Sequence, residues 1–189
     1  MNYKEIINLL NEDEADFIFS ALKIENHNKH STSRLRFWFD HLKDNHQKID
    51  GDIFEFGVFK GASLISIAIL AKRLGSSKTI YGFDSFSGFP SYSEKDDLNK
   101  FEDMNLSKSI KKRIEVLQKI RSSSVDLDPS NISDAGDFSN TSFAGLQKKI
   151  EDLELDNIII IEGDFAKTVP NFFKNYDGCL FSANIDCDL

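Results

Sequence analysis

The sequence has few of the residues that bind transition metals or form disulfide bonds. Its 189 residues include two cysteines and four histidines. Cys179 and Cys187 lie on one predicted strand and its end, without the spacing of a metal site, and strand geometry disfavours a disulfide between them. All four histidines lie at or before position 46, which excludes a histidine-based metal site or catalytic dyad later in the chain.

The sequence also lacks long apolar runs and an excess of basic residues. No run approaches the roughly 20 apolar residues of a membrane-spanning helix, and the N-terminus lacks the regions of a signal peptide. Acidic residues outnumber basic ones by 31 to 23, giving a net charge of −8, whereas nucleic-acid binding favours a basic surface. These features predict a single-domain cytoplasmic protein that binds neither membrane nor nucleic acid.

Residues 1–48 are predicted to form helices that cover the N-terminal side of the domain. The first helix is expected over residues 3–24, and Ser31 or Thr32 is expected to cap the second. Apolar residues of the second helix recur at helical spacing, namely Leu35, Trp38, Phe39 and Leu42.

Residues 91–140 are polar and turn-rich, and we interpret them as an insert or lid. An amphipathic helix within this insert carries Ile110, Ile114 and Leu117. The basic side chains of the insert could bind an anionic substrate: Lys108, Lys111, Lys112, Arg113, Lys119 and Arg121. A solvated helix face is the alternative, and the negative charge of the chain favours it.

The rest of the chain alternates short apolar strands with helices. The strands are predicted at 53–58, 79–83, 158–161 and 179–185. The helices are predicted at 64–74, at 143–153, and from Thr168 with Pro170 in the first turn. This alternation predicts an α/β fold, a Rossmann-like doubly wound parallel sheet with right-handed crossovers. The isoleucines at 158–161 fit a strand that is buried on both faces.

An acidic residue or a glycine stands at the end of every predicted strand. These residues are Glu55 with Gly57, Asp84, Glu162 with Gly163 and Asp164, and Asp186. Open parallel sheets bind ligands outside the carboxyl ends of their strands, so the four strand ends together predict a binding site. The alternative is that aspartate and glycine simply favour the turns that follow strands.

The residues after the first strand favour a nucleoside ligand without phosphates. Gly57 and Gly61 flank bulky Val58 and Phe59, which make a poor cradle for a pyrophosphate. Asp84 could accept hydrogen bonds from both ribose hydroxyls. An adenine amino group could donate to Asp164, with Phe165 offering an apolar face. S-adenosylmethionine, a nucleoside with a cationic sulfonium, matches an acidic rim best.

Four segments in order resemble motifs of class I S-adenosylmethionine-dependent methyltransferases, and more narrowly the macrocin O-methyltransferase (TylF/MycF/NovP-like) family. They are "GDIFEFGVFKGASL", "YGFDSFSGFP", "IIIIEGDFAKTVPNFF" and "NIDCDL". The resemblance covers roughly residues 50–90 and 137–189, with a looser likeness in the helix at 31–48. It implies a cofactor site formed by Glu55, Phe56, Gly57, Gly61, Ser63, Asp84, Ser85, Gly163, Asp164 and Phe165. It further implies that Asp186 is a magnesium ligand and that Asp188 is the general base.

The chemistry implied by the resemblance is methylation of a hydroxyl group on a sugar or another small natural-product-like acceptor. Mg²⁺ prefers oxygen ligands and would orient the hydroxyl, while a carboxylate removes its proton before the oxygen attacks the sulfonium methyl group. Alternatively, the chain is a catalytically silent nucleoside-binding module that acts through a partner. A nucleotide-dependent oxidoreductase is disfavoured because the third glycine is missing.

The last predicted strand raises the expectation that the chain is truncated. In the family that the sequence resembles, further strands follow the one predicted at 179–185, and the next of them completes the metal site. We therefore expect C-terminal strands to be missing, weak magnesium binding by Asp186 and Asp188 alone, and an exposed strand edge that favours homo-oligomers.

Overall fold

A computed structural model describes residues 35–89, 97–101, 105–125, 129–130 and 138–187. The predicted helix at 3–24, its neighbours Ser31 and Thr32, and Asp188 lie outside the described residues. The described residues divide into two compact units, one of 35–86 with 141–187 and one within 87–140. The second unit overlaps the predicted insert.

The first unit contains four strands and four α-helices in alternation. The helices are α1 (Arg36–Asn45), α2 (Ala62–Arg73), α4 (Phe143–Asp152) and α5 (Phe165–Phe173). The strands are β1 (Asp52–Phe56), β2 (Ile80–Asp84), β3 (Ile158–Glu162) and β4 (Leu180–Ile185). All strand pairs are parallel, and the sheet has the order β3-β2-β1-β4. The doubly wound parallel α/β fold is thereby confirmed.

The two faces of the sheet are covered by different helices. On one face α1, α2 and α4 enclose a hydrophobic core, in which Leu42, Ile53 and Leu64 are fully buried. On the other face α5 packs aromatic rings against the strands, with the Phe172 ring 5.3 Å from that of Phe83. Helices lie on both faces because the crossover connections have one hand. The chain adds β2 and β3 on one side of β1 and then crosses to the other side of β1 to form β4.

Two predictions about this unit are wrong. Helix α5 begins at Phe165 instead of Thr168, because the Asp164 side chain accepts a hydrogen bond from the Ala166 N–H and caps the helix. Pro170 consequently lies inside the helix. Strand β3 is not buried on both faces, because it forms an edge of the described sheet and the Ile159 side chain is 47% exposed.

The amino ends of the strands carry a hydrogen-bonded cluster remote from the acidic strand ends. The Tyr176 hydroxyl donates to the Asp52 carboxylate at 2.9 Å, and Lys78 Nζ donates to the carbonyls of Ile49 and Gly51. Burial raises the pKa of Tyr176 and lowers the pKa of Lys78. The Tyr176 contact joins β1 to the segment before β4, and the Lys78 contacts join the segments that precede β2 and β1.

The second unit contains a short 3₁₀ helix (Leu98–Phe101) and helix α3 (Lys108–Ser122), which Ser107 caps. The predicted amphipathic helix is therefore present. Five of its six basic side chains are exposed, as a solvated face requires, whereas Arg121 is buried. None of the described helices combines the length and the hydrophobicity that a membrane-spanning segment requires.

Candidate functional site

The carboxyl ends of the four strands meet at one rim of the sheet, where backbone hydrogen bonds continue past the strands. The Gly163 N–H donates to the Asp84 carbonyl at 2.9 Å, and the Asp186 N–H donates to the Phe56 carbonyl at 2.8 Å. The acids that the sequence places at strand ends therefore lie on the same side of the sheet. Strand order reverses between β1 and β4, which is where open α/β sheets bind ligands.

Glu55 lies at this switch point with its side chain fully buried. Its Oε1 accepts a hydrogen bond from the Ser63 hydroxyl at 2.5 Å, next to the start of α2, and another from Asn184 Nδ2 at 3.0 Å on β4. Glu55 and Ser63, both predicted site residues, are thus in direct contact. Sequence reasoning missed Asn184, although an amide within an apolar strand is an unusual residue that needs a partner.

Asp84 holds the loop between β1 and α2. Its Oδ2 accepts hydrogen bonds from the Val58 and Phe59 N–H groups, each at 2.8 Å, and its Oδ1 accepts one from the Phe86 N–H at 2.7 Å. A carboxylate offers about four acceptor positions. The three backbone donors leave capacity for about one further hydrogen bond, fewer than the two ribose hydroxyls of the sequence-based hypothesis require.

The loop from Gly57 to Gly61 has a turned backbone that its neighbours hold in place. The backbone φ angle is positive at Gly57 (89°), Phe59 (52°) and Gly61 (79°). A Cβ atom at Gly57 would lie 2.1 Å from the Asp186 carbonyl oxygen, and one at Gly61 would lie 2.3 Å from a methyl group of Leu146. The Asp186 backbone therefore leaves no room for a side chain at Gly57, and the positive φ favours glycine at both positions.

Two residues that sequence reasoning missed also bind this loop. The Thr141 hydroxyl donates to the Phe59 carbonyl at 2.5 Å, and Lys149 Nζ donates to the Lys60 carbonyl at 3.3 Å. Neither residue belongs to a recognisable motif, and only the packing of α4 beside the loop brings them there. The loop is consequently preorganised.

The other predicted cofactor residues lie around β2, β3 and α5. Gly163 has a φ of 135° and directs the chain from β3 into α5, and Asp164 caps that helix. The Phe165 ring contacts the Phe56 ring edge-on at 6.3 Å. Ser85 directly follows Asp84 and is half-buried.

Replacing Asp164 with alanine is expected to lower the free energy of unfolding by about 1 kcal/mol, the usual effect of losing a helix N-cap. Asp164→Asn keeps an oxygen that can accept from the Ala166 N–H, so it should retain most of the stability. Urea denaturation of both variants measures the difference. Equal losses in the two variants would contradict the capping role.

A metal site is not assembled by the described residues. Asp186 follows β4 at the rim and is half-buried, whereas its predicted companion Asp188 lies outside the described residues. Among the described residues no group of three acidic, histidine or cysteine side chains is placed to hold a metal ion. Cys179 and Cys187 are free thiols.

Comparison with known proteins identifies the family and supports the fold. The chain matches the profile of the macrocin-O-methyltransferase (TylF) family over residues 33–156. It resembles the structure of the O-methyltransferase NovP with a TM-score of 0.50 and 18% identity, over 82% of this chain and 52% of NovP. It resembles CalS11, a calicheamicin methyltransferase, with a TM-score of 0.57 and 20% identity, over 99% of this chain and 66% of CalS11. No curated protein sequence matches it.

The family match includes β1, α2 and β2, and with them Glu55, Ser63 and Asp84 at the rim. The two structural relatives share the α/β fold, and this chain spans only part of the length of each. The chain belongs to the macrocin-O-methyltransferase (TylF) family.

Proposed function

We propose that the chain forms the S-adenosylmethionine-binding part of an O-methyltransferase that acts on a small-molecule hydroxyl group. The observation that carries the proposal is the buried Glu55 carboxylate, which lies at the switch point beside a preorganised loop. Family membership supports methyl transfer. The name of CalS11, a calicheamicin methyltransferase, supports a small-molecule acceptor. The proposed acceptor group is a hydroxyl of a sugar or of another natural-product-like molecule.

The residues of the rim fit S-adenosylmethionine. Glu55 would face the cationic methionine end near the start of α2, where Gly61 and Ser63 lie. Asp84 has capacity for one ribose hydroxyl, because three backbone donors already bind it. Asp164 and Phe165 would flank the adenine, and Phe56, Gly57, Ser85 and Gly163 would line the pocket. The bound cofactor would supply an electrophilic methyl group on its sulfonium.

We assign the acid–base and metal-binding chemistry to the two aspartates that follow β4. Asp188 would accept the proton of the acceptor hydroxyl, which makes the oxygen a nucleophile. Asp186 is the proposed ligand of a magnesium ion. The described residues alone do not form a site for that ion, so no step is derived through it.

Calorimetric titration of S-adenosylhomocysteine, with NAD as a matched control ligand, tests the cofactor assignment. We expect micromolar binding of S-adenosylhomocysteine and no binding of NAD, because the loop with Val58 and Phe59 is a poor pyrophosphate cradle. Tighter binding of NAD would contradict the proposal. Lack of binding to both ligands, by a chain that circular dichroism shows to be folded, would also contradict it.

A further inference from the structure

Asn184 and Glu55 form a hydrogen-bonded pair across the switch point. They are register partners on the adjacent parallel strands β4 and β1. The Asn184 amide donates to Glu55 Oε1 at 3.0 Å, and the Ser63 hydroxyl donates to the same oxygen. One carboxylate oxygen therefore joins three elements: β1, β4 and the first turn of α2.

This arrangement determines the orientation of the Glu55 carboxylate. A buried carboxylate needs hydrogen-bond donors, and hydrogen bonds to its charged form stabilise that form. The Asn184 amide cannot titrate, so it remains a donor at every physiological pH. The Ser63 hydroxyl can rotate, whereas the Asn184 side chain is a planar amide on a strand and fixes the direction of its N–H group.

We propose that Asn184 is a positioning residue for the cofactor site. It orients the Glu55 carboxylate toward the cationic end of S-adenosylmethionine, and this inference rests on the proposed function. Asn184 thereby acts through Glu55, and its effect on ligand affinity should depend on whether residue 184 can donate a hydrogen bond to Oε1.

The test compares S-adenosylhomocysteine binding by Asn184→Leu and Asn184→Gln, measured by calorimetry at one pH. Asn184→Leu removes the donor to Glu55 Oε1, so we expect affinity to fall by about tenfold, as for the loss of a hydrogen bond to a charged group. Asn184→Gln keeps an amide donor on a longer side chain, so it should lose less affinity than Asn184→Leu.

Ser182→Ala is the matched control, because Ser182 lies two residues earlier on β4 and accepts a hydrogen bond from Trp38 Nε1 at 2.9 Å. We expect it to lower stability without changing the affinity. If Asn184→Leu fails to fold, Asn184→Ala provides the test, with affinity expected to fall by about tenfold.

The outcomes separate the inference from the proposed function. A folded Asn184→Leu protein with wild-type affinity would overturn the positioning role while the proposed function remains supported. Wild-type affinity in folded Asn184→Ala would have the same meaning. A folded wild-type chain that does not bind S-adenosylhomocysteine would overturn both.

Discussion

Gly57→Ala is expected to lower the free energy of unfolding by about 4 kcal/mol, through backbone strain and overpacking together. The φ angle of 89° disfavours any residue with a Cβ atom. The new Cβ would also lie 2.1 Å from the Asp186 carbonyl oxygen and 2.7 Å from its carbonyl carbon. These are backbone atoms of the neighbouring strand end, so they cannot rotate away as a side chain would.

Gly75→Ala is the matched control for this prediction. Gly75 also has a positive φ, 65°, but a Cβ there would meet no atom within 4 Å. Its replacement should cost only about 1 kcal/mol, the strain of a left-handed conformation. Urea denaturation measures both variants. Similar losses at the two positions would show that the contact between the ends of β1 and β4 is looser than the structure has it.

Asp84→Ala is expected to abolish measurable binding of S-adenosylhomocysteine and to destabilise the chain by about 3 kcal/mol. The stability loss follows from three backbone N–H groups, those of Val58, Phe59 and Phe86, which lose a charged acceptor. The binding loss follows because the same hydrogen bonds hold the loop against the proposed cofactor site. Calorimetry and urea denaturation of the purified variant measure the two effects.

Glu162→Ala is the control for Asp84. Glu162 is the register partner of Asp84 on β3, but its side chain is exposed. Its replacement should change stability by no more than about 0.5 kcal/mol, as is usual for surface sites, and should leave binding unchanged. Full binding by a folded Asp84→Ala chain would show that the loop is held without the carboxylate and that Asp84 does not contact the cofactor.

The sequence predicted the elements of the first unit because their signals are local. Helix α2 is apolar nearly all round, so it had to be buried, and Gly75 with its positive φ follows its end. Short apolar strands separated by helices require parallel pairing with crossovers. Strand ends in such a sheet lie on one side, which is why the position of Glu55, Asp84, Gly163 and Asp186 at one rim could also be predicted.

One error arose where two local signals competed, and the other where burial depended on neighbouring strands. Thr168 before Pro170 resembles a helix start, yet Asp164 is an equally good cap four residues earlier, and its side chain accepts the Ala166 N–H. The isoleucine run of β3 indicates burial on both faces, but burial depends on how many neighbours a strand has. That number is not encoded in the strand itself.

The sequence by itself determined the alternation of strands and helices, the acidic rim and, through its motifs, the family. Only the tertiary structure decided what the rim side chains bind. Asp84 proved to hold a loop, and Glu55 proved to pair with Asn184, which is 129 positions away in the chain. The physical reason is that periodicity and turn chemistry act over a few neighbouring residues. The side chains that a residue meets on neighbouring strands depend instead on strand order and register, which are defined only when the whole sheet is assembled.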